Sequence, residues 1–171
     1  MNHSIYFPAI SGFMTSIFHN NFTNKKSYRI YNEDAVYYYP YMLVTAGHNY
    51  KSNIKKNWEF DLDKIIVMGD SGGFQLATNQ IKYSDEIREK LFTWLENNTN
   101  YAMNLDFPPY LLEPNMDKEK RFNECLDIST KNYAYFEKNQ SGQTKYLNVL
   151  HGRNIKHLTQ WYMKLKILIL L

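Results

Sequence analysis

One cysteine, Cys125, stands among the 171 residues. No internal disulfide can form, and such usage fits a reducing compartment. Met1 to Phe18 lacks a basic segment followed by a continuous apolar stretch, so the pattern of a secretory signal is missing. No apolar run approaches the roughly 20 residues of a membrane-spanning helix. These absences predict a cytoplasmic protein with no membrane partner. Charge of one sign is only slightly in excess. The net charge of +3 and pI near 8.8 permit nucleic-acid binding without demanding it. Tyr, Asn, Lys and Ile are abundant, but an AT-rich coding sequence gives the same bias, and no function follows from it. The length suits about one domain, and 44% apolar residues suffice for a core.

The most informative stretch runs from Ile65 to Gln75. Four apolar residues lead into Gly69-Asp70-Ser71-Gly72-Gly73-Phe74-Gln75. A short apolar run bounded by glycines reads as a buried strand ending in a turn. The turn carries a carboxylate, a hydroxyl and two glycines that let backbone N–H groups approach a ligand. Phe74 then offers an aromatic face. Together they could hold a flat polar ring, with carboxylate and amides on its edge and phenyl on its face. The alternative is a solvent-exposed turn between strand and helix.

The rest of the chain alternates in type. Residues 6–12 can form a first strand and turn, and the polar stretch 20–27 reads as a solvated loop. Tyr41 to Thr45 reads as a buried strand broken by Gly47, and His48 behind it as a surface or capping histidine that could touch a ligand. Asn49 to Trp58 reads as a loop or short helix. Ser84 is a good N-cap, with Asp85 and Glu86 in the first turn and Ile87, Leu91, Trp94 and Leu95 on one apolar face. Tyr101 to Leu105 forms a short strand that delivers Asp106, since Pro108 and Pro109 cannot continue it. A helix follows near 117–139, with period Phe122, Cys125, Leu126, Ser129, Tyr133 and Phe136. A strand over 145–150 ends at His151-Gly152. A last helix has Ile155, Leu158, Tyr162, Leu165 and Ile169 as its apolar face. Strands alternating with helices predict an α/β class with parallel strands. Asp70, Asp106 and His151 then share the strand-end face on which such folds build sites. Taken singly, Asp106 can be a cap beside the Pro-Pro turn and His151 a hydrogen-bonded loop histidine.

Two families share the letters of the central turn. Gly69 to Gly73, with Val44-Thr45-Ala46-Gly47-His48, mimics the serine and histidine motifs of chymotrypsin-like proteases. Only 23 residues separate His48 from Ser71, too few for two β-barrels with a triad between them. The protease reading is excluded. The stretch Asp70 to Gln75 instead resembles, at every position, the Asp-Ser-Gly-Gly-(Phe/Tyr)-Gln hallmark of the tRNA-guanine transglycosylases and their phage DNA-modifying relatives. Asn104-Leu105-Asp106-Phe107-Pro108 resembles the family's second strand-end aspartate. Val149-Leu150-His151-Gly152 falls where the family has Val-Gln-Gly. The resemblance spans about residues 35–162.

This resemblance implies a (β/α)8 barrel, of which one domain over residues 1–171 would hold about the first five strands. It implies exchange of guanine for a 7-deazaguanine base in nucleic acid. Asp70 would transfer protons and contact the base. Ser71, Gly72 and Gly73 would line the pocket, Phe74 would stack on the purine, and Asp106 would bind its N1 and N2 edge. His151, followed by Gly152, departs from the family's Gln but could donate to the purine carbonyl. The family's nucleophilic aspartate lies on a later strand, and its zinc site needs three cysteines, so no cofactor is expected here. Partners would be DNA or tRNA, with DNA slightly preferred, the base itself, and a downstream chain completing the barrel. The alternatives are a non-catalytic nucleic-acid-binding subunit and an inactive fragment.

Overall fold

The computed structural model describes residues 4–10, 29–109 and 116–169, the side chains of 167–169 excepted. The expectations for residues 11–12, the loop at 20–27 and the Ile169 side chain lie outside these residues. The described elements run β1 (Tyr41–Thr45), α1 (Ala46–Asn49), α2 (Ile54–Trp58), β2 (Ile66–Asp70), α3 (Gly73–Ala77), α4 (Asp85–Asn98), β3 (Tyr101–Met103), α5 (Lys118–Asn139), β4 (Lys145–Leu147) and α6 (Ile155–Ile169). The four strands form one sheet in the order β1-β2-β3-β4, and every pairing is parallel. The expected first strand is reduced to a bridge. Ile10 N donates to Leu43 O at 2.8 Å, and Leu43 N to Pro8 O at 2.9 Å, setting Ala9 parallel to β1. The chain is therefore α/β with parallel strands and intervening helices.

Alternate strand residues divide between two faces, as the period of two requires. Met42, Val44, Val67, Gly69 and Ala102 are buried on one of them. That face meets the helices. A Cβ on Gly69 would lie 2.5 Å from Leu95 Cδ2 and 2.8 Å from Thr99 Cγ2, so only glycine lets α4 come this close. The alternate residues Leu43, Ile66, Met68, Asp70 and Met103 are half-buried, and Leu147 is exposed.

The helices form where the sequence signals stand. Ser84 Oγ accepts from Ile87 N at 3.2 Å, and Asp117 Oδ1 accepts from Glu119 N and Lys120 N. Leu91, Trp94 and Leu95 of α4 are buried, and so are all six periodic positions of α5. Burial pushes the Cys125 thiol further up, which makes it a packing residue rather than a reactive one.

Two strands are shorter than expected, and the sequence shows why. Asn104 N still donates to Leu147 O at 2.9 Å. Its side chain then displaces the ladder. Oδ1 accepts from Leu105 N at 3.0 Å, while Nδ2 donates to Asn148 Oδ1 at 3.1 Å. This local side-chain competition ends β3 early.

Of the apolar face expected for α6, Leu165 is buried, but Ile155, Leu158 and Tyr162 are not. Ile155 is 82% exposed and Tyr162 48% exposed, with Leu158 exposed as well. The buried stripe is His157, Trp161 and Leu165, spaced four apart. His157 wins a core position because its flat ring stacks on Phe122 at 4.0 Å while its Nε2 still reaches Glu119 Oε1 at 3.0 Å. A histidine stacked and anchored through one ring nitrogen can take a core position, which a search for aliphatic period overlooks. Among the described residues, no helix is long and apolar enough to cross a membrane.

Candidate functional site at the strand ends

Parallel pairing puts the C-terminal ends of β2, β3 and β4 along one edge of the sheet, and the three expected polar residues follow them. Asp70 is the last residue of β2, and the pleat places it on the half-buried face with Met68 and Ile66. Its Oδ1 accepts from Gly72 N at 3.3 Å, so the carboxylate is held by its own turn. Thr45 is its register partner on β1. The Thr45 hydroxyl is buried and has no hydrogen-bond partner among the described residues.

The glycines of the turn permit close backbone approach at two points. Gly72 has φ +91°, and a Cβ there would sit 2.6 Å from Gly47 Cα. Gly73 opens α3 directly against the end of β3. A Cβ on it would overlap the backbone oxygen of Asp106 and lie 3.2 Å from Asp106 Oδ1. Gly73 thus seats the β2 turn on the residue that carries the second carboxylate, while Gly72 seats it on Gly47. Ser71 is wholly buried, and its hydroxyl donates to Asn104 O at 3.1 Å, which ties the β2 end to the β3 end. Phe74, the next residue of α3, is 53% exposed and leaves an aromatic face available to a partner.

Asp106 and His151 meet. His151 Nε2 lies 2.5 Å from Asp106 Oδ2, with the two side chains 9% and 14% exposed. The carboxylate accepts, so the imidazole donates from Nε2. Behind this pair, Phe107 N donates to Ser129 Oγ at 2.8 Å and Asn132 Nδ2 to Leu105 O at 3.0 Å. Tyr83 OH in turn donates to Asn132 Oδ1 at 2.7 Å, and burial pushes that hydroxyl above its ordinary range, which keeps it a donor. Asp106 is therefore held from both backbone sides by α5. Gly152 is equally constrained, since a Cβ there would lie 2.6 Å from Leu158 N.

The structure thus brings Gly73, Asp106 and His151 into direct contact and sets Asp70 one strand away. His48 is exposed, and its Nε2 stands 3.4 Å from Gln75 Nε2. Asn104 and Trp161 were absent from the expected site, yet both touch it. Asn104 accepts from Ser71 through its carbonyl. Trp161 packs edge to face with His151 at 5.0 Å. The asparagine two residues before a strand-end aspartate was a usable signal, whereas the tryptophan, ten residues beyond His151, was not. Among the described residues, no group of three or more His, Cys, Asp or Glu side chains is arranged to hold a metal ion. No protein-family model matches the chain, and no curated protein matches it.

Proposed function

We propose that this chain is the base-recognising part of a guanine transglycosylase-like protein that exchanges guanine for a 7-deazaguanine base in nucleic acid, DNA being slightly preferred over tRNA. One observation carries the reading. Asp106 is seated between Gly73 and His151, one strand from Asp70, with the exposed Phe74 ring beside the same turn. A carboxylate that accepts two parallel N–H bonds selects guanine over adenine, which lacks that pair of donors. His151 occupies one lone pair of Oδ2. Oδ1, on the Gly73 side, and the remaining lone pair of Oδ2 are left for the base edge. His151 then serves the base through Asp106, by fixing the plane of its carboxylate.

The chemistry requires the C1′–N9 bond of a guanine nucleotide to break and the base to leave with a proton. The incoming 7-deazaguanine gives up its N9 proton as its own C1′–N9 bond forms. Asp70 is the carboxylate assigned to that proton. A covalent sugar intermediate would need a further carboxylate, and residues 152–171 contain neither Asp nor Glu. That step is assigned to a residue outside these elements. The zinc group of the resembling family does not fit here, because its three cysteines cannot come from a chain whose one cysteine is buried in α5; no step runs through it.

A barrel accounts for the sheet better than an open arrangement. All-parallel sheets are normally covered on both faces or closed, and here one face carries the helices while Leu43, Met68 and Met103 remain half-buried on the other. Strands in sequence order, with β4 at one edge, suit the first part of a (β/α)8 barrel. Further strands from a partner or from more chain would complete it.

Labelled-guanine exchange into tRNA and DNA, run beside plain binding of the same molecules, tests the proposal. The chain alone is expected to bind guanine without exchanging it, and to support exchange once strands bearing a carboxylate are added. Unaided exchange would show that Asp70 or Asp106 is itself the nucleophile. Failure to bind guanine at all would overturn the reading.

A further inference from the structure

Of the four arginines, three are paired with carboxylates: Arg29 with Glu59, Arg88 with Asp85 and Arg121 with Glu124. Arg153 is the exception. It is exposed, it directly follows Gly152, and it has no carboxylate partner among the described residues. Its Nη2 donates to Pro109 O at 3.5 Å, in the loop after β3. The guanidinium therefore bridges the two strand-end loops, two residues beyond His151 on one and three beyond Asp106 on the other. The surroundings carry excess positive charge. Residues 117–124 and 152–156, where α5 and α6 begin, hold five basic side chains against three acidic ones. The acidic ones are engaged: Asp117 caps α5, Glu119 bonds to His157 and Glu124 pairs with Arg121.

We propose that Arg153 is a phosphate-binding residue at the rim of the candidate site: its guanidinium holds a phosphodiester of the nucleic acid whose guanine sits on Asp106. A guanidinium presents five N–H donors in one plane and matches two oxygens of a single phosphate. Pro109 O takes one of the five, and four are left for a ligand. Such a contact fixes where the strand lies and carries no sequence information, which falls to the base edge at Asp106. The substrate is then a guanine within a phosphodiester strand, not a free base or nucleoside.

The inference rests on the proposed guanine site, and its test separates the two. The full chain is titrated with free guanine and with short single-stranded DNA and RNA, each with and without guanine, at several salt concentrations. Arg153→Gln is expected to weaken strand binding about tenfold, with or without guanine, and to make the salt slope shallower by about 0.7. Its affinity for free guanine should stay that of the wild type. Arg153→Lys is expected to keep the salt slope and lose part of the affinity, since the ammonium keeps the charge without the fork. Lys138→Gln removes a cation from the last turn of α5 and should change nothing. A loss confined to DNA or to RNA assigns the phosphodiester to that strand. Unchanged strand affinity in Arg153→Gln, an equal loss in Lys138→Gln, or a wild type that binds no strand overturns the proposal. Should Arg153→Gln fail to fold, wild-type strand affinity in Arg153→Lys overturns it as well. A strand loss as expected, in proteins that bind no free guanine, leaves Arg153 as the phosphate contact and removes the base-binding role of Asp106.

Discussion

Gly73→Ala is expected to lower stability by about 3 kcal/mol, the upper part of the usual range for overpacking a filled interior. The added methyl would occupy the position of the Asp106 backbone oxygen, and a backbone cannot turn aside as a side chain can. The end of β3 and the start of α3 would have to separate, taking Asp106 away from His151. Gly142→Ala is the control. Gly142, unlike Gly73, has positive φ, +86°, and nothing lies within 4 Å of its Cβ position. Only the conformational penalty applies there, about 1 kcal/mol. Urea unfolding of both variants separates the two effects. Equal, small shifts in midpoint would show that the β2 turn does not rest on Asp106.

The second large effect is expected at Asp106 itself. Asp106→Asn replaces an oxygen that only accepts with an NH2 that only donates. Facing the N1–H and N2–H donors of guanine, the new amide leaves one contact unmade, at a cost of roughly 1–3 kcal/mol in binding. Facing His151 Nε2, it also removes the charge that holds the imidazole. Calorimetric titration with guanine should show this loss. Adenine, which lacks the paired donors, should bind weakly to both proteins. Unchanged guanine affinity in the folded variant would make Asp106 a structural residue that fastens β3 to His151.

Much of this arrangement was legible in the sequence, and the reasons are local. The cap Ser84 marks where α4 begins because its side chain satisfies an amide that a helix cannot, and the helix expected from 117 begins at Lys118, with Asp117 as its cap. The α5 period is pure enough that all six positions are buried. Asp70, Asp106 and His151 could be placed at strand ends because glycines and prolines stop the strands beside them. What was not legible depends on contacts across the chain. The α6 face was misread because its stripe is made of His157 and Trp161, whose burial depends on Phe122 and Glu119 some 38 residues away in the chain. The Asp106–His151 pair joins residues 45 apart, and no local rule announces it. Ser71 gave no sign of facing Asn104 rather than a pocket, because a serine beside glycines satisfies either arrangement.

The most direct measurement is a chemical-shift map of the 15N-labelled chain titrated with guanine and, separately, with adenine. If the strand-end cluster is a guanine site, guanine shifts the resonances of Asp70, Gly73, Phe74, Asp106 and His151 together, with one dissociation constant, and adenine at equal concentration leaves them in place. Shifts confined to other parts of the surface, or equal shifts with both bases, would contradict a guanine site at these strand ends.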